Sequence, residues 1–360
     1  MNKKLIALAV AGVISGYGAA ANAAEVSGFA VVDYVLTDDD HEPAAGCTPA
    51  GSSTCENSKE GKFGVTSEID VTATPTDGVT VRIDTDLELA TDAASGDSAS
   101  VEQAFFAWDL APVTVMAGVF NNPVGQEAED IADWNFGTSS LIRSSLDHQT
   151  DLHGNNVAGA AVAGAVGPVT LTGALLNHIG DANGENSMAL VANMSPIPGL
   201  DLELGMVTQE SNTDGVAGAD NVGDVMNFNV AFSPAAVAGL TAGLDYASYD
   251  EIADTAYNLW GTFSIPGTKF SVGLRFEELS WVSAGATSFA DVERTSFNVA
   301  YKAAPNLKVS LEYADAEGVN CPPGGTCTGT NFFSAGGVTA GDVTGAQEEG
   351  LIKLKMVAKF

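Results

Sequence analysis

Basic residues are scarce in this chain: 14 lysines and arginines stand against 46 acids in 360 residues, a net charge of −32 at pH 7. So negative a chain excludes the usual electrostatic binding to nucleic acid or to anionic lipid surfaces. Long apolar runs are also missing. Beyond residue 20 no segment approaches about eighteen uninterrupted apolar residues, which excludes a transmembrane helix. Histidine and cysteine number four each, and none falls in a zinc-ribbon, H-E-x-x-H or C-x-x-C spacing. Walker and G-x-S-x-G signatures are absent, and no Ser–His–carboxylate set can be singled out. The expectation is therefore no enzyme, no cofactor and no metal. Two polar groups bear on that. Asp147, His148, Asp151 and His153 have no recognised ligand geometry, and Asp38, Asp39, Asp40, His41 and Glu42 read as a solvated charge run. Apolar residues are plentiful at 45%, too many for a charge-driven disordered chain, and 40 glycines suit a tightly curved sheet.

The front of the chain reads as a secretory signal peptide, residues 1–23. Lys3 and Lys4 are the basic region, Leu5 to Ala20 the apolar core, and Ala21-Asn22-Ala23 the small residues for cleavage. Removing it takes away two lysines and no acid, so the exported chain is more acidic still. Residues 24–360 show no linker or composition break and are expected to form one domain. Export makes disulfides the default for the cysteines. Local pairs Cys47–Cys55 and Cys321–Cys327 are expected, with crossed pairing open because the two loops become neighbours if the sheet closes.

Period-two alternation marks strands near 26–36, 62–74, 79–90, 101–110, 113–120, 156–166, 169–177 and 188–194. It continues at 200–209, 226–232, 240–250, 255–265, 269–280, 294–303, 307–316 and 350–360. Val79 to Leu89 is the cleanest: Val81, Ile83, Leu87 and Leu89 alternate with Arg82, Asp84, Asp86 and Glu88. Every second connection contains proline, at Pro75, Pro112, Pro168, Pro196 with Pro198, Pro234, Pro266 and Pro305. Proline presets a turn and cannot continue a ladder. The remaining connections are mostly longer and acidic. A large soluble antiparallel protein also alternates, but it does not place proline in every second connection. The pattern predicts an all-β, antiparallel up-and-down barrel of sixteen strands with turns at one rim and loops at the other.

The last stretch, GLIKLKMVAKF, puts Ile352, Leu354, Met356, Ala358 and Phe360 on one face and Lys353, Lys355 and Lys359 on the other. A strand of this kind ending on an aromatic residue resembles the closing strand of Gram-negative outer-membrane β-barrels. That resemblance implies a transmembrane barrel in the outer membrane, with Phe360 read by the barrel-assembly machinery. The connection after strand 5, residues 121–155, carries a more specific likeness. Ala117-Gly118-Val119-Phe120, Asn122-Pro123-Val124-Gly125 and Glu127, then Trp134-Asn135-Phe136 and Ser139 to Ile142, resemble the corresponding stretch of sixteen-stranded porins. The likeness is to porins related to the phosphate-selective and OmpL-like barrels, and it implies a loop folded into the barrel to narrow a channel.

With the apolar parity facing lipid, strands 2 and 3 turn Glu68, Asp70, Asp84, Asp86 and Glu88 inward, with Arg82 among them. The last four strands contribute Lys269, Arg275, Glu277, Arg294, Lys302, Lys308, Glu312, Lys353, Lys355 and Lys359. Eight of the 14 basic residues thus fall after position 268. In the long loop, Ile131, Trp134, Phe136, Leu141 and Ile142 are expected to pack on the wall. Glu127, Glu129, Asp130 and Asp133 then face the lumen, with Arg143 as local partner. Arg82, Asp84, Asp86, Arg275, Lys353 and Lys355 are the expected charges across the gap. Phosphate selection needs several convergent Arg or Lys donors, and the loop has one basic residue. The expected function is passive diffusion of ions and small hydrophilic solutes with a mild cation preference. The competing class is a structural or adhesive barrel with an occluded lumen. The resemblance further implies a homotrimer, with outer-membrane lipid, lipopolysaccharide and the barrel-assembly machinery as partners; no nucleic acid is expected.

Overall fold

A computed structural model describes residues 24–41, 58–91, 98–149, 155–177, 179, 186–208, 223–250, 253–281, 292–319 and 346–360. The expected signal segment, all four cysteines, Glu42, Asp151 and His153 lie outside the described residues. Sixteen strands form: β1 (Glu25–His41), β2 (Ser58–Thr76), β3 (Val79–Glu88), β4 (Ser98–Leu110), β5 (Val113–Asn121), β6 (Asn156–Val166), β7 (Val169–Leu176) and β8 (Ser187–Ile197). They continue with β9 (Leu200–Val207), β10 (Val225–Phe232), β11 (Leu240–Tyr249), β12 (Ala253–Ser264), β13 (Phe270–Trp281), β14 (Val292–Ala304), β15 (Leu307–Val319) and β16 (Ala346–Lys359). Each pairs antiparallel with its sequence neighbours, and β16 returns to β1, so the sheet is a closed barrel. One helix, α1 (Leu141–Gln149), lies in the long connection after β5.

The sixteen expected segments coincide with the sixteen strands. The largest differences are at the loop rim. β1 runs on through Asp38, Asp39, Asp40 and His41, whose backbones pair with Gly350 to Gln347 of β16. The charge run is thus the outer end of a strand. Alternating hydrophobicity stops where the apolar belt stops, whereas the backbone ladder needs only a neighbour.

The barrel is inside out. Leu204, Leu259 and Leu311 are each more than half exposed, while Asn229, Ser296 and Glu312 are fully buried. On β16, Ile352, Leu354 and Met356 point outward, and Leu351, Lys353, Lys355 and Val357 point inward. An apolar belt around a polar interior suits a lipid surround and not water. Exposed aromatic residues are spread over the belt: Trp108, Phe232, Phe270, Tyr301 and Phe360 lie near the turn rim, Phe63 and Tyr257 towards the loop rim, and Phe228, Phe276, Phe297 and Tyr313 near mid-strand. Within the belt Phe270 meets Tyr301 and Tyr34 meets Phe63, ring centroids 4.9 Å apart in both pairs.

Closure ends on Phe360. Its N–H donates to the Gly28 carbonyl (3.0 Å) and its carbonyl accepts from Gly28 N–H (3.3 Å). Gly28 is required by space, because a Cβ there would sit 2.2 Å from the Glu68 carbonyl oxygen and 2.9 Å from the Phe360 ring. At the turns, Gly199 (φ 82°) follows Pro198 and lets the β8–β9 hairpin reverse with its backbone against Ser233.

Gly28→Ala is expected to destabilise the closing seam by about 1–3 kcal/mol, the usual range for overpacking. The reading is a lowered urea midpoint in detergent. Gly173→Ala, where no atom lies within 4 Å of the added carbon, serves as the control and should leave the midpoint in place. Equal midpoints for the two variants would show that the seam tolerates a side chain at Gly28.

Candidate functional site

The loop leaves β5 and turns inward at once. Asn122 N–H donates to the Asn155 carbonyl (2.8 Å), closing the base of the loop. Val124 is fully buried and rests against Val191 and Gly205, where a Cβ on Gly205 would fall 2.6 Å from Val124. Gly125, at φ 90°, directs its N–H to Glu203 Oε1 on β9 (2.9 Å), an oxygen that Asn229 also holds at 2.9 Å. Residues 122–140 then run along the inner face of the far wall. Ile131 and Ala132 pack on Phe29, Val31 and Val357 of the closing seam.

From Ile131 to Leu141 the backbone is irregular, and side chains of β13–β16 bind it. Lys355 Nζ donates to the carbonyls of Phe136 (2.7 Å) and Ile131 (3.3 Å), and Lys308 Nζ to that of Trp134 (3.0 Å). Asn298 donates to the Asn135 carbonyl (3.0 Å). Glu312 accepts from Gly137 N–H, Thr138 N–H (3.1 Å) and Thr138 Oγ1 (2.7 Å). Arg275 donates to Thr138 Oγ1 (2.6 Å) and to the Thr138 carbonyl (3.2 Å), and Arg294 to the Ser139 carbonyl. Glu277 joins these cations, 2.9 Å from Arg275 and 2.6 Å from Arg294, and takes Leu141 N–H at 2.8 Å. Phe136 lies under the Arg275 guanidinium (4.6 Å), and Trp134 contacts both Lys355 (5.4 Å) and Arg143 (5.6 Å).

The helix α1 starts at a serine cap: Ser140 Oγ accepts Arg143 N–H (3.0 Å), and the Ser140 carbonyl accepts Ser144 N–H (3.0 Å). Leu141, Ile142 and Leu146 dock on Val207, Val225, Ala247, Tyr249, Leu279 and Val292. The lumen therefore carries an apolar patch near the loop rim, on which Leu141 and Ile142 pack together with Leu146. Ser140 followed by Leu141, Ile142 and Leu146 was the available signal for this helix.

The expected constriction residues do not form one row. Glu127 accepts Ser140 N–H (2.6 Å) and stands 3.7 Å from Arg275. With Asp245, Trp260 and Arg275 it lines a cavity of about 290 Å³. Glu129 is buried between Arg143 (2.6 Å) and Asn155 N–H (3.0 Å). Asp133 pairs with Lys359 at the turn side of the loop. There a second cavity, about 600 Å³, is lined by Lys269, Lys302, Lys308 and Lys359. Asp130 is on the other edge, within electrostatic reach of Glu68, Asp84 and Glu102.

The opposing set is divided too. Arg275 and Lys355 lie beneath the loop and bond to it, so they do not face it across a gap. Lys353 pairs with Asp33 of β1 (2.9 Å), and Arg82 with Asp84 (2.7 Å) and Asp70 (3.3 Å) on its own wall. Asp86 is half-buried on β3. The reason is donor supply. An irregular backbone in a lumen docks where cations and carboxylates can satisfy it, and those belong to β13–β16. The sequence reading placed Glu277, Arg294, Lys308 and Glu312 in the lumen without a partner, and it singled out neither Glu203, Asn229 nor Asn298.

No protein-family model matches the chain, and no curated protein sequence does. Solved structures do resemble it. An anion-selective porin from Comamonas acidovorans superposes with a TM-score of 0.62 at 14% identity, covering 94% of this chain and 100% of that one. OmpT, an outer-membrane protein of Vibrio cholerae solved in trimer form, gives 0.56 at 14% with the same coverage. A mutant of the Rhodobacter blastica porin gives 0.53 at 15%, again over 94% and 100%. The chain shares its fold, a closed barrel that here has sixteen strands, with these three proteins.

Glu312→Ala removes the acceptor for two loop N–H groups and one hydroxyl. Charge-assisted bonds of this kind are each worth about 1.5–3 kcal/mol, so the undocked loop should become at least roughly tenfold more populated. Arg143 is the one basic residue in 121–155 and is buried. Trypsin should therefore cut after Arg143 correspondingly faster in the variant than in the parent. Unchanged cleavage would mean that Glu312 does not hold the loop.

Proposed function

We propose that the protein is an outer-membrane porin, exported by the segment 1–23, through which ions and small hydrophilic solutes diffuse passively. One observation carries this reading: a polar lumen crossed by a side-chain-anchored loop, inside a belt of exposed apolar residues. Such a barrel has no use for its polar interior unless water reaches it. The fold shared with three barrels from the Comamonas, Vibrio and Rhodobacter proteins supports it, and the trimeric Vibrio structure supports a homotrimer.

The preference we assign is mildly cationic, unlike the anion-selective Comamonas relative. Arg275, Arg294, Lys308 and Lys355 are bonded to loop carbonyls, and the two arginines also pair with Glu277. The wall of β2–β4 presents Glu68, Asp70, Asp84, Asp86 and Glu102 around Arg82, with Lys62 nearer the loop rim of β2. The charge left facing a permeant ion is negative, and low-dielectric walls focus it. Phe360, bonded to Gly28, is the residue we assign to the assembly machinery, and the belt is the surface we assign to lipid and lipopolysaccharide. The disulfide proposal keeps local pairs, Cys47–Cys55 and Cys321–Cys327. Non-reduced peptide mapping tests it, and peptides linking the first pair to the second would replace it with crossed pairing.

Single-channel recording of the refolded chain lacking residues 1–23, with a salt gradient across the bilayer, is the test. Open steps and a cation-favouring reversal potential are expected. Glu127→Gln with Asp86→Asn, one from the loop and one from the opposite wall, should move the cation-to-anion permeability ratio towards one. A folded, inserted barrel that never conducts would overturn the channel reading in favour of a structural or adhesive barrel.

A further inference from the structure

The wall opposite the docked loop gathers five carboxylates, Glu68, Asp70, Asp84, Asp86 and Glu102, around Arg82. Carboxylate oxygens of Glu68, Asp86 and Glu102 lie within 4.8 Å of one another, and so do those of Glu68, Asp70 and Asp84. Arg82 serves the second group, 2.7 Å from Asp84, 3.3 Å from Asp70 and 4.0 Å from Glu68. An independent observation concerns the first group. Glu68 and Glu102 are 1% and 6% exposed, and neither Glu102 Oε2 nor Glu68 Oε1, which stands 4.0 Å from Arg82, accepts a hydrogen bond. The remaining oxygen of Glu102 is steered by Asn156 Nδ2 at 3.3 Å. Asp130 of the loop adds a further carboxylate within electrostatic reach of both. Buried carboxylates with bare oxygens are costly unless they share protons or hold a cation.

We propose that Glu68, Asp86 and Glu102 form a binding site for a hard divalent cation of Ca²⁺ size. All donors are carboxylate oxygens, which favour Ca²⁺ over metals that prefer nitrogen or sulfur. Calcium keeps its oxygen ligands at about 2.3–2.6 Å, so two ligands on opposite sides of one ion stand roughly 5 Å apart. Three oxygens that already meet within 4.8 Å can touch one ion with small side-chain adjustments. Mg²⁺ requires about 2.0–2.1 Å and near-ideal octahedral order, a poorer match to this wider set. Asp130 is placed to reach the same ion, directly or through water. The cation would then tie the second edge of the loop to β2–β4, as Lys355 and Arg275 tie the first edge to β13–β16. Like charges now face one another across that second edge, and an ion between them turns repulsion into a bridge.

The test is calorimetric titration of Ca²⁺ into the refolded, chelator-washed chain lacking residues 1–23, in detergent and about 0.1 M KCl, where long-range surface attraction is screened. A saturable component is expected above weak surface binding. Glu68→Gln/Glu102→Gln should weaken that component at least tenfold. Glu293→Gln/Glu317→Gln, which removes the same charge from exposed positions of β14 and β15, should leave it intact. Indistinguishable titrations for the two double variants, or no saturable component in the parent, would mean that the carboxylates share protons and would overturn the proposal. The parent protein offers a second reading should the lumen variant not refold: Ca²⁺ should raise its unfolding temperature more than Mg²⁺ does, and no shift with Ca²⁺ overturns the site. Neither measurement uses conduction, so the site stands or falls apart from the channel reading.

Discussion

An irregular backbone cannot lie inside a closed sheet unless something answers its N–H and C=O groups. Residues 131–141 meet that constraint through β13–β16, where Lys355, Lys308, Asn298, Arg275 and Arg294 donate to carbonyls and Glu312 and Glu277 accept from amides. Each such group left bare would cost about 1–3 kcal/mol. The same bonds explain how these charges are tolerated at almost no exposure. Arg275 is held between Glu277 and Thr138 with Glu312 3.7 Å away, so each charge finds an opposite charge or a dipole. Loop and wall therefore satisfy one another's polar groups.

This docking decides the electrostatics of the lumen. Eight basic residues after position 268 look, on a strand diagram, like an anion pathway. The loop covers much of that arc and takes up its donors. On the opposite arc the acids of β2–β4 surround Arg82, and Lys62 lies further along β2 towards the loop rim. The barrel is thus polarised by which wall the loop covers more than by how many charges each wall carries.

The sheet was legible because its signal is local. Alternation in Val79 to Leu89 or Leu351 to Phe360 reports two unlike faces within a few residues, and proline in every second connection reports the hairpin rhythm. The inward parity of Arg82, Asp84, Arg275, Lys353 and Lys355 follows from the same count. Their partners do not. Leu141 meets Glu277 over 136 positions and Lys355 meets Phe136 over 219. No local pattern says whether an inward cation will face a loop across water or lie beneath it. Helix α1 was missed for another reason: Leu141, Ile142 and Leu146 sit in a polar stretch without a full amphipathic repeat, and the helix is completed by the apolar patch it docks on. Asp38 to His41 fell outside the expected strand 26–36 because charge marks the end of the belt and not the end of the ladder.

The final strand links these arrangements. Its outward residues Ile352, Leu354 and Met356 continue the apolar belt, and its backbone closes the sheet against β1. Of its inward residues, Lys353 pairs with Asp33 of β1, while Lys355 and Lys359 bind the loop at Phe136 and Asp133. Without β16 the loop lacks Lys355 and Lys359, and without β13 to β15 it lacks Arg275, Glu277, Arg294, Asn298, Lys308 and Glu312, keeping its hold on Glu203 of β9. The loop comes early in the chain and most of its receptor last, more than 130 positions later. Complete docking of residues 131–141 therefore requires the closed barrel, so a chain lacking its last strand would have neither a sealed wall nor a fully anchored loop.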